Sequence, residues 1–170
     1  MEKRHVTGVS GLDVSHHNRK PPVFGGIQLQ ANIDVSRSPD VCYRYWRDFS
    51  NLPSILKHVQ SVAIKDQTHS HWMVDGPGDT TAEWDAELIE DIPKERISWR
   101  SSQQAQIDNA GSVQFASLDG GRRTRLKVAL TYNPPLGPLG NFFGHLFGET
   151  PDQELADDLS HFKQVIERGN

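Results

Sequence analysis

Cysteine is nearly absent: Cys42 is the one thiol in 170 residues. A single thiol excludes an internal disulfide and a cysteine-built metal cluster. Cys42 falls in an apolar helical pattern, which reads as a small buried side chain rather than a nucleophile. Long hydrophobic runs are also missing. No stretch approaches the roughly 18 apolar residues of a membrane span. Residues 1–20 hold no apolar core behind a basic start, so no signal peptide is expected and the default location is cytoplasmic. A basic excess is missing too: 18 Lys and Arg against 22 Asp and Glu give a formal net charge of −4. Nucleic-acid binders carry a basic face. Here the basic cluster Arg122, Arg123 and Arg125 sits beside a turn and reads as a solvated strand edge, so no nucleic-acid partner is expected.

Cofactor and metal signatures are lacking as well. There is no Gly-rich phosphate loop, no nucleophile elbow and no dinucleotide fingerprint. His58, His69, His145 and His161 are spread along the chain, and none has a partner at a His-x-x-x-His spacing. His16 and His17 are adjacent on a polar segment, where such pairs ordinarily bind nothing. No metal and no cofactor are expected.

What is present has a clear order. Residues 1–26 are rich in Gly, Pro, His and charge, and read as a polar tail or linker. From Ile27, apolar Ile27, Leu29, Ala31, Ile33 and Val35 alternate with polar neighbours, the mark of a half-buried strand. Ser38-Pro39-Asp40 opens a helix by cap and proline logic. Val41, Cys42, Tyr45, Trp46 and Phe49 give that helix one apolar face. Asn51-Leu52-Pro53 breaks it, and a short second helix is expected around Ile55 and Leu56.

Strands follow over 59–65, 71–74, 80–89, 96–101, 111–118 and 124–132. The turns between them include Gly76-Pro77-Gly78-Asp79, Asp91-Ile92-Pro93-Lys94 and Asp119-Gly120-Gly121. Asp108 and Asn109 read either as a turn cap or as polar groups able to orient a ligand carbonyl. After Pro134, Pro135 and Pro138, residues 139–147 are apolar and helical in pattern. Leu155, Leu159, Phe162 and Ile166 then form the stripe of a long C-terminal helix.

Consecutive strands joined by short turns pair as an antiparallel meander. A twisted sheet of about seven strands curls, and the terminal helix is the one large amphipathic element able to cover it. The expected architecture is α+β, a curved antiparallel sheet of about seven strands around a long C-terminal helix, with two short helices after the first strand.

Several strings carry a resemblance. They are Tyr45-Trp46-Arg47-Asp48-Phe49-Ser50-Asn51-Leu52-Pro53, Ala82-Glu83-Trp84-Asp85-Ala86-Glu87, Ile97-Ser98-Trp99-Arg100-Ser101 and Asn109-Ala110-Gly111-Ser112-Val113, with Asp158-Leu159-Ser160-His161-Phe162-Lys163. Together with the element order they resemble the START-like superfamily (SRPBCC, helix-grip or Bet v 1-like), in its polyketide cyclase/dehydrase and coenzyme Q-binding branch. The resemblance covers residues 27–168, and residues 27–170 read as one domain. It implies an internal hydrophobic cavity for lipids, quinones or polyketide-like molecules. It transfers no catalytic residues.

Trp72, Trp84 and Trp99 each lie in a strand with apolar neighbours two residues away. They read as core packing or as cavity lining, since one face can do both. The expected cavity walls are Trp72, Trp84, Trp99, Phe115 and Tyr132. The expected lid is residues 45–56 with residues 139–147, including Phe143. Glu83, Asp85 and Glu87 alternate away from Trp84 and read as solvated, with Arg100 pairing one of them across the sheet. His71 alternates with Trp72 and is expected to face out.

The function expected is binding or carriage of a hydrophobic small molecule. One rival is a cyclase/dehydratase-type enzyme acting on a polyketide-like substrate, which needs a polar group in the cavity. The other is a protein-interaction module built on the 139–147 patch, a segment that also leaves transient membrane-surface contact open.

Overall fold

The computed structural model describes residues 26–76, 78–105, 107–133 and 151–169. The expected tail over 1–25 and the expected apolar helix over 139–147, with Phe143, lie outside the described residues. Seven strands form one antiparallel sheet: β1 (Ile27–Val35), β2 (Val59–Ile64), β3 (His69–Asp75), β4 (Thr81–Ile92), β5 (Arg96–Ser101), β6 (Asp108–Leu118) and β7 (Arg123–Asn133). Their order is β1-β7-β6-β5-β4-β3-β2. The meander therefore runs from β2 to β7, and the first strand closes onto the last. The sheet curls into a half-barrel, giving the helix-grip architecture expected from the sequence.

Among the described residues, helix α1 (Pro39–Arg47), a 3₁₀ turn (Phe49–Ser54) and helix α2 (Pro151–Arg168) pack around the sheet. α1 starts where its cap chemistry places it. Ser38 is extended, its Oγ accepts the Val41 N–H at 3.5 Å, and Pro39 takes the first helical position. The second short helix is a 3₁₀ turn, ending before Ile55 rather than containing it. Leu52 O accepts from both Ile55 N and Leu56 N, so the chain tightens and turns instead of propagating a helix.

Two other expectations shift. β4 runs to Ile92, past the turn expected at Asp91. A bulge between Leu88 and Glu90 carries the pairing onward and turns Ile89 and Ile92 outward. Asp91 thereby reaches α1, accepting from Tyr43 Oη at 2.5 Å and Arg47 Nε at 2.6 Å. β6 begins at Asp108, not Gly111, because Asp108 and Asn109 pair with Asn133 and Tyr132 on β7. The turn reading of that pair is therefore corrected to strand.

α2 packs along β1 through Leu155, Leu159, Phe162 and Ile166, all buried. The C-terminal end of α2 is fastened by the segment that follows β1. The Arg37 guanidinium donates to Ile166 O at 3.0 Å, Glu167 O at 2.7 Å and Gly169 O at 3.2 Å, which satisfies carbonyls a helix end leaves orphaned. Lys163 Nζ donates to Asp34 O at 2.8 Å. Phe162 is wholly buried, and its ring meets Tyr45 and Trp46 at 5.6 and 5.7 Å.

This one ring joins α2 to α1. Phe162→Ala is expected to cost about 3–5 kcal/mol by the cavity it leaves. The measurement is a urea midpoint that falls while the denaturant slope stays constant.

Candidate functional site

The concave face holds a cavity of about 120 Å³. Its walls come from the sheet, α1, the 3₁₀ turn and α2. The aromatic part follows from strand register. Trp72 and Trp84 are direct partners across β3 and β4, and their indoles stack at 6.3 Å with planes 6° apart. Trp99 sits on β5, and Phe49 bridges it to Trp72 with ring distances of 5.8 and 5.7 Å. Trp72 Nε1 donates to Ser70 Oγ at 2.9 Å, so that buried donor is satisfied within its own strand.

Gly111 makes room for Trp99. The two residues are cross-strand partners, and the indole lies over the bare Cα of Gly111. A Cβ there would lie 2.3 Å from Trp99 Cζ2 and 2.8 Å from Leu130 Cδ2, far inside van der Waals contact.

Trp72, Trp84, Trp99 and Tyr132 all line the cavity. Phe115 does not. It lies on the same face of β6, four residues beyond Gly111, where α1 covers the sheet. There Phe115 packs edge-on against Tyr43 at 6.0 Å. The fourth tryptophan, Trp46, enters the wall instead. Trp46 stands within the expected lid, residues 45–56, on the apolar face of α1.

Of the polar part of the wall, sequence reasoning offered Asn109 as a group able to orient a ligand carbonyl and missed His58 and Asp158. His58, Asn109 and Asp158 line the cavity. His58 Nε2 is 3.5 Å from Glu154 Oε2. Lys57 N–H donates to Asp158 Oδ1 at 3.2 Å. Burial is the main reason the Asp158 carboxyl is pushed above its ordinary pKa. Asn109 Nδ2 donates to Ile107 O at 3.3 Å, which turns its amide along β6. The spacing from His58 to Asp158 spans most of the chain, so periodicity could not join them. The one available signal was Asp158 itself, a carboxylate next to Leu155, Leu159 and Phe162 on an apolar helix stripe.

The charged ladder lies on the opposite face of the sheet. His71 is held between Asp85 at 2.8 Å and Glu83 at 2.9 Å, and these hydrogen bonds raise its pKa, Asp85 contributing most. Lys65 pairs with Asp85 and Arg100 with Glu87. Arg125 grips Asp34 through two hydrogen bonds of 2.7 and 2.8 Å. Burial lifts the Cys42 thiol to about 11, which removes it as a nucleophile at neutral pH. Among the described residues no helix is long and apolar enough to cross a membrane.

Comparison with known proteins agrees with this architecture. Residues 35–160 match the model of the family described as polyketide cyclase / dehydrase and lipid transport. The chain belongs to that family, within the START-like superfamily. It is similar to the crystal structure of DR_A0006 from Deinococcus radiodurans, at 34% identity and a TM-score of 0.69, covering 85% of this chain and 100% of that one. An uncharacterized 17.2 kDa protein from the melC2-rnhH intergenic region of Streptomyces lincolnensis is 27% identical over 142 residues, 82% of this chain and 89% of the relative. The Zhui aromatase/cyclase from Streptomyces sp. R1128 shares the fold at 18% identity and a TM-score of 0.58, covering 83% of this chain and 91% of that one.

Two outcomes are expected. Gly111→Ala displaces the Trp99 indole and costs about 1–3 kcal/mol as an overpacked site, read by urea denaturation and by a changed near-UV tryptophan signal. Asp158→Asn keeps the acceptor for Lys57 N–H and removes a charge that burial penalises. The folded chain holds the Asp158 proton more tightly than the unfolded chain. Stability is therefore lost as pH rises from the ordinary aspartate range through the raised folded value. The Asp158→Asn variant should melt above the wild type at pH 7, and the gain should vanish by about pH 3, below the usual aspartate pKa.

Proposed function

We propose that this protein binds and carries a hydrophobic small molecule in the cavity between the sheet and α2. The observation carrying the reading is the cavity wall: four indoles, Trp46, Trp72, Trp84 and Trp99, converge on it with aliphatic side chains of β3, β7 and α2. Apolar pockets with a few convergent polar groups are the ordinary form of a small-molecule site. The family description, which joins cyclase/dehydrase with lipid transport, supports the same ligand chemistry. An engineered apolar cavity of about 150 Å³ accepts benzene, so the part of the ligand enclosed here is about one ring or a short alkyl segment. A quinone ring, a polyketide-derived ring and the end of a lipid chain all meet that limit.

A second reading is favoured by one observation, the presence of His58 and Asp158 in the wall. Proton donors and acceptors in a cavity wall are what a cyclisation or dehydration would use. The aromatase/cyclase with the same fold gives this reading its chemistry.

Native mass spectrometry of gently purified protein separates the two. A retained apolar molecule, recovered unaltered after incubation, is the outcome expected of a carrier. Recovery with the loss of water indicates catalysis. Ligand present at about 100 times its dissociation constant should add about 2.7 kcal/mol of stability. No rise in Tm with any lipid, quinone or aromatic polyketide would overturn the binding reading.

A further inference from the structure

The two edges of the sheet differ. β1 is one edge, and α2 lies along it. Side chains of α2 answer the outward backbone groups there. Asp152 Oδ1 accepts the Gln30 N–H at 3.4 Å, Glu167 Oε1 accepts the Ser36 N–H at 2.6 Å, and Lys163 Nζ donates to Asp34 O at 2.8 Å. β2 is the other edge. Lys65 N–H donates to His69 O at 3.0 Å, which sets the alternation along the β2–β3 ladder. Ser61 and Ala63 therefore turn their backbone groups toward β3, while Val62 and Ile64 turn theirs away from it. Among the described residues no other strand pairs with those outward groups. Native edge strands are ordinarily blunted by charge or proline. Residues 59–64 carry neither, and Ile64 stands 51% exposed among them. The guard this edge does have is the bulge between Val59 and Ser61, at the far end of the strand.

We propose that β2 is a docking edge for β2 of a second copy of this chain, giving a two-fold dimer with one continuous sheet. The state of the two edges selects this partner. Copies adding head to tail would need the β1 edge, which α2 closes, so edge pairing between copies runs β2 to β2. Antiparallel pairing centred on Ala63 sets each Val62 opposite the partner's Ile64, and their outward groups exchange hydrogen bonds. The exposed Ile64 side chain then lies on the partner's Val62, on the concave face that Val62 shares with Trp72. Lys65 stands opposite the partner's Ser61, so no like charges face each other. The strand ends are complementary in charge. Lys57 precedes β2 and Asp66 follows it, with side chains 69% and 58% exposed. Antiparallel pairing brings Asp66 of each copy to the Lys57 end of the other. The bulge helps, because it puts Val59 rather than Gln60 opposite the partner's Asp66 and draws Lys57 within reach. Val59 also lines the cavity, so the join abuts the cavity wall. A single strand edge buries little area, which makes this a weak and concentration-dependent dimer.

The test is sedimentation velocity of the full chain, with hydrogen exchange read at single amides. From about 5 to about 500 µM the chain should pass from monomer toward dimer, the range expected of a small interface. The Val62 and Ile64 amides should gain protection as concentration rises. The Ala63 amide faces β3 and should not change. Ile64→Lys places a charge on the exposed edge and should weaken the dimer at least about tenfold while leaving the monomer's Tm near the wild-type value. Lys57→Glu sets like charge against the partner's Asp66 and should weaken the dimer less, with the loss shrinking in high salt. A chain that stays monomeric across the whole range overturns the proposal. Val62 and Ile64 amides protected in that monomer would show the edge covered from within the same chain. A dimer that leaves those two amides unprotected, or that survives Ile64→Lys, joins elsewhere and overturns the proposal as well.

Discussion

A curled seven-stranded sheet presents more apolar surface on its concave side than one helix can cover. The rest of the structure follows from that shortfall. α2 offers a single stripe, Leu155 to Ile166, and lays it along β1. α1 and the 3₁₀ turn fill one end with Tyr43, Phe49 and Leu52. The remaining gap is walled by side chains that cannot close it, because their backbones are held apart by the sheet's curvature. Close packing would otherwise be the rule in an interior. Large flat indoles suit this position, since each covers much apolar area from a single strand residue.

Electrostatics divides along the same surface. On the convex face, carboxylates of β4 are matched by His71, Lys65 and Arg100 in cross-strand pairs. Such exposed pairs add little stability each. They do keep formal charge in water and out of the cavity. Asp158 is the exception, and its pKa displacement is the mark of a carboxylate placed where packing alone would have chosen an aliphatic side chain. Groups perturbed by burial in a cleft are candidates for function for that reason.

The architecture was legible because it rests on local periodicity. Period-two alternation in β1, β4 and β7, the Ser38-Pro39 cap and the stripe of α2 each state their own geometry. Trp72, Trp84 and Trp99 could be placed on one face by the same rule. Phe115 obeyed it as well, yet it lies under α1, because alternation assigns a face and not a position along it. The β4 extension was hidden by a bulge, which shifts the period by one residue. Asp108 and Asn109 resemble turn residues in composition, and only their partners on β7 make them strand. His58, Trp46 and Asp158 meet through tertiary packing across 112 positions of chain from α1 to α2, and no local pattern encodes that meeting.

The pairing of β1 with β7 has a consequence for how the molecule forms. Ile27 faces Tyr132, and Arg37 reaches the end of α2 across 129 residues and more. The meander from β2 to β7 can assemble by successive hairpins, each closing a short loop. The first strand and the last helix must then find each other from opposite ends of the chain, the kind of long-range contact that slows folding. The cavity is therefore absent until β1 and α2 are joined. A partly synthesised or partly folded molecule has tryptophan-bearing strands but no enclosed space, so the cavity is a product of the completed fold.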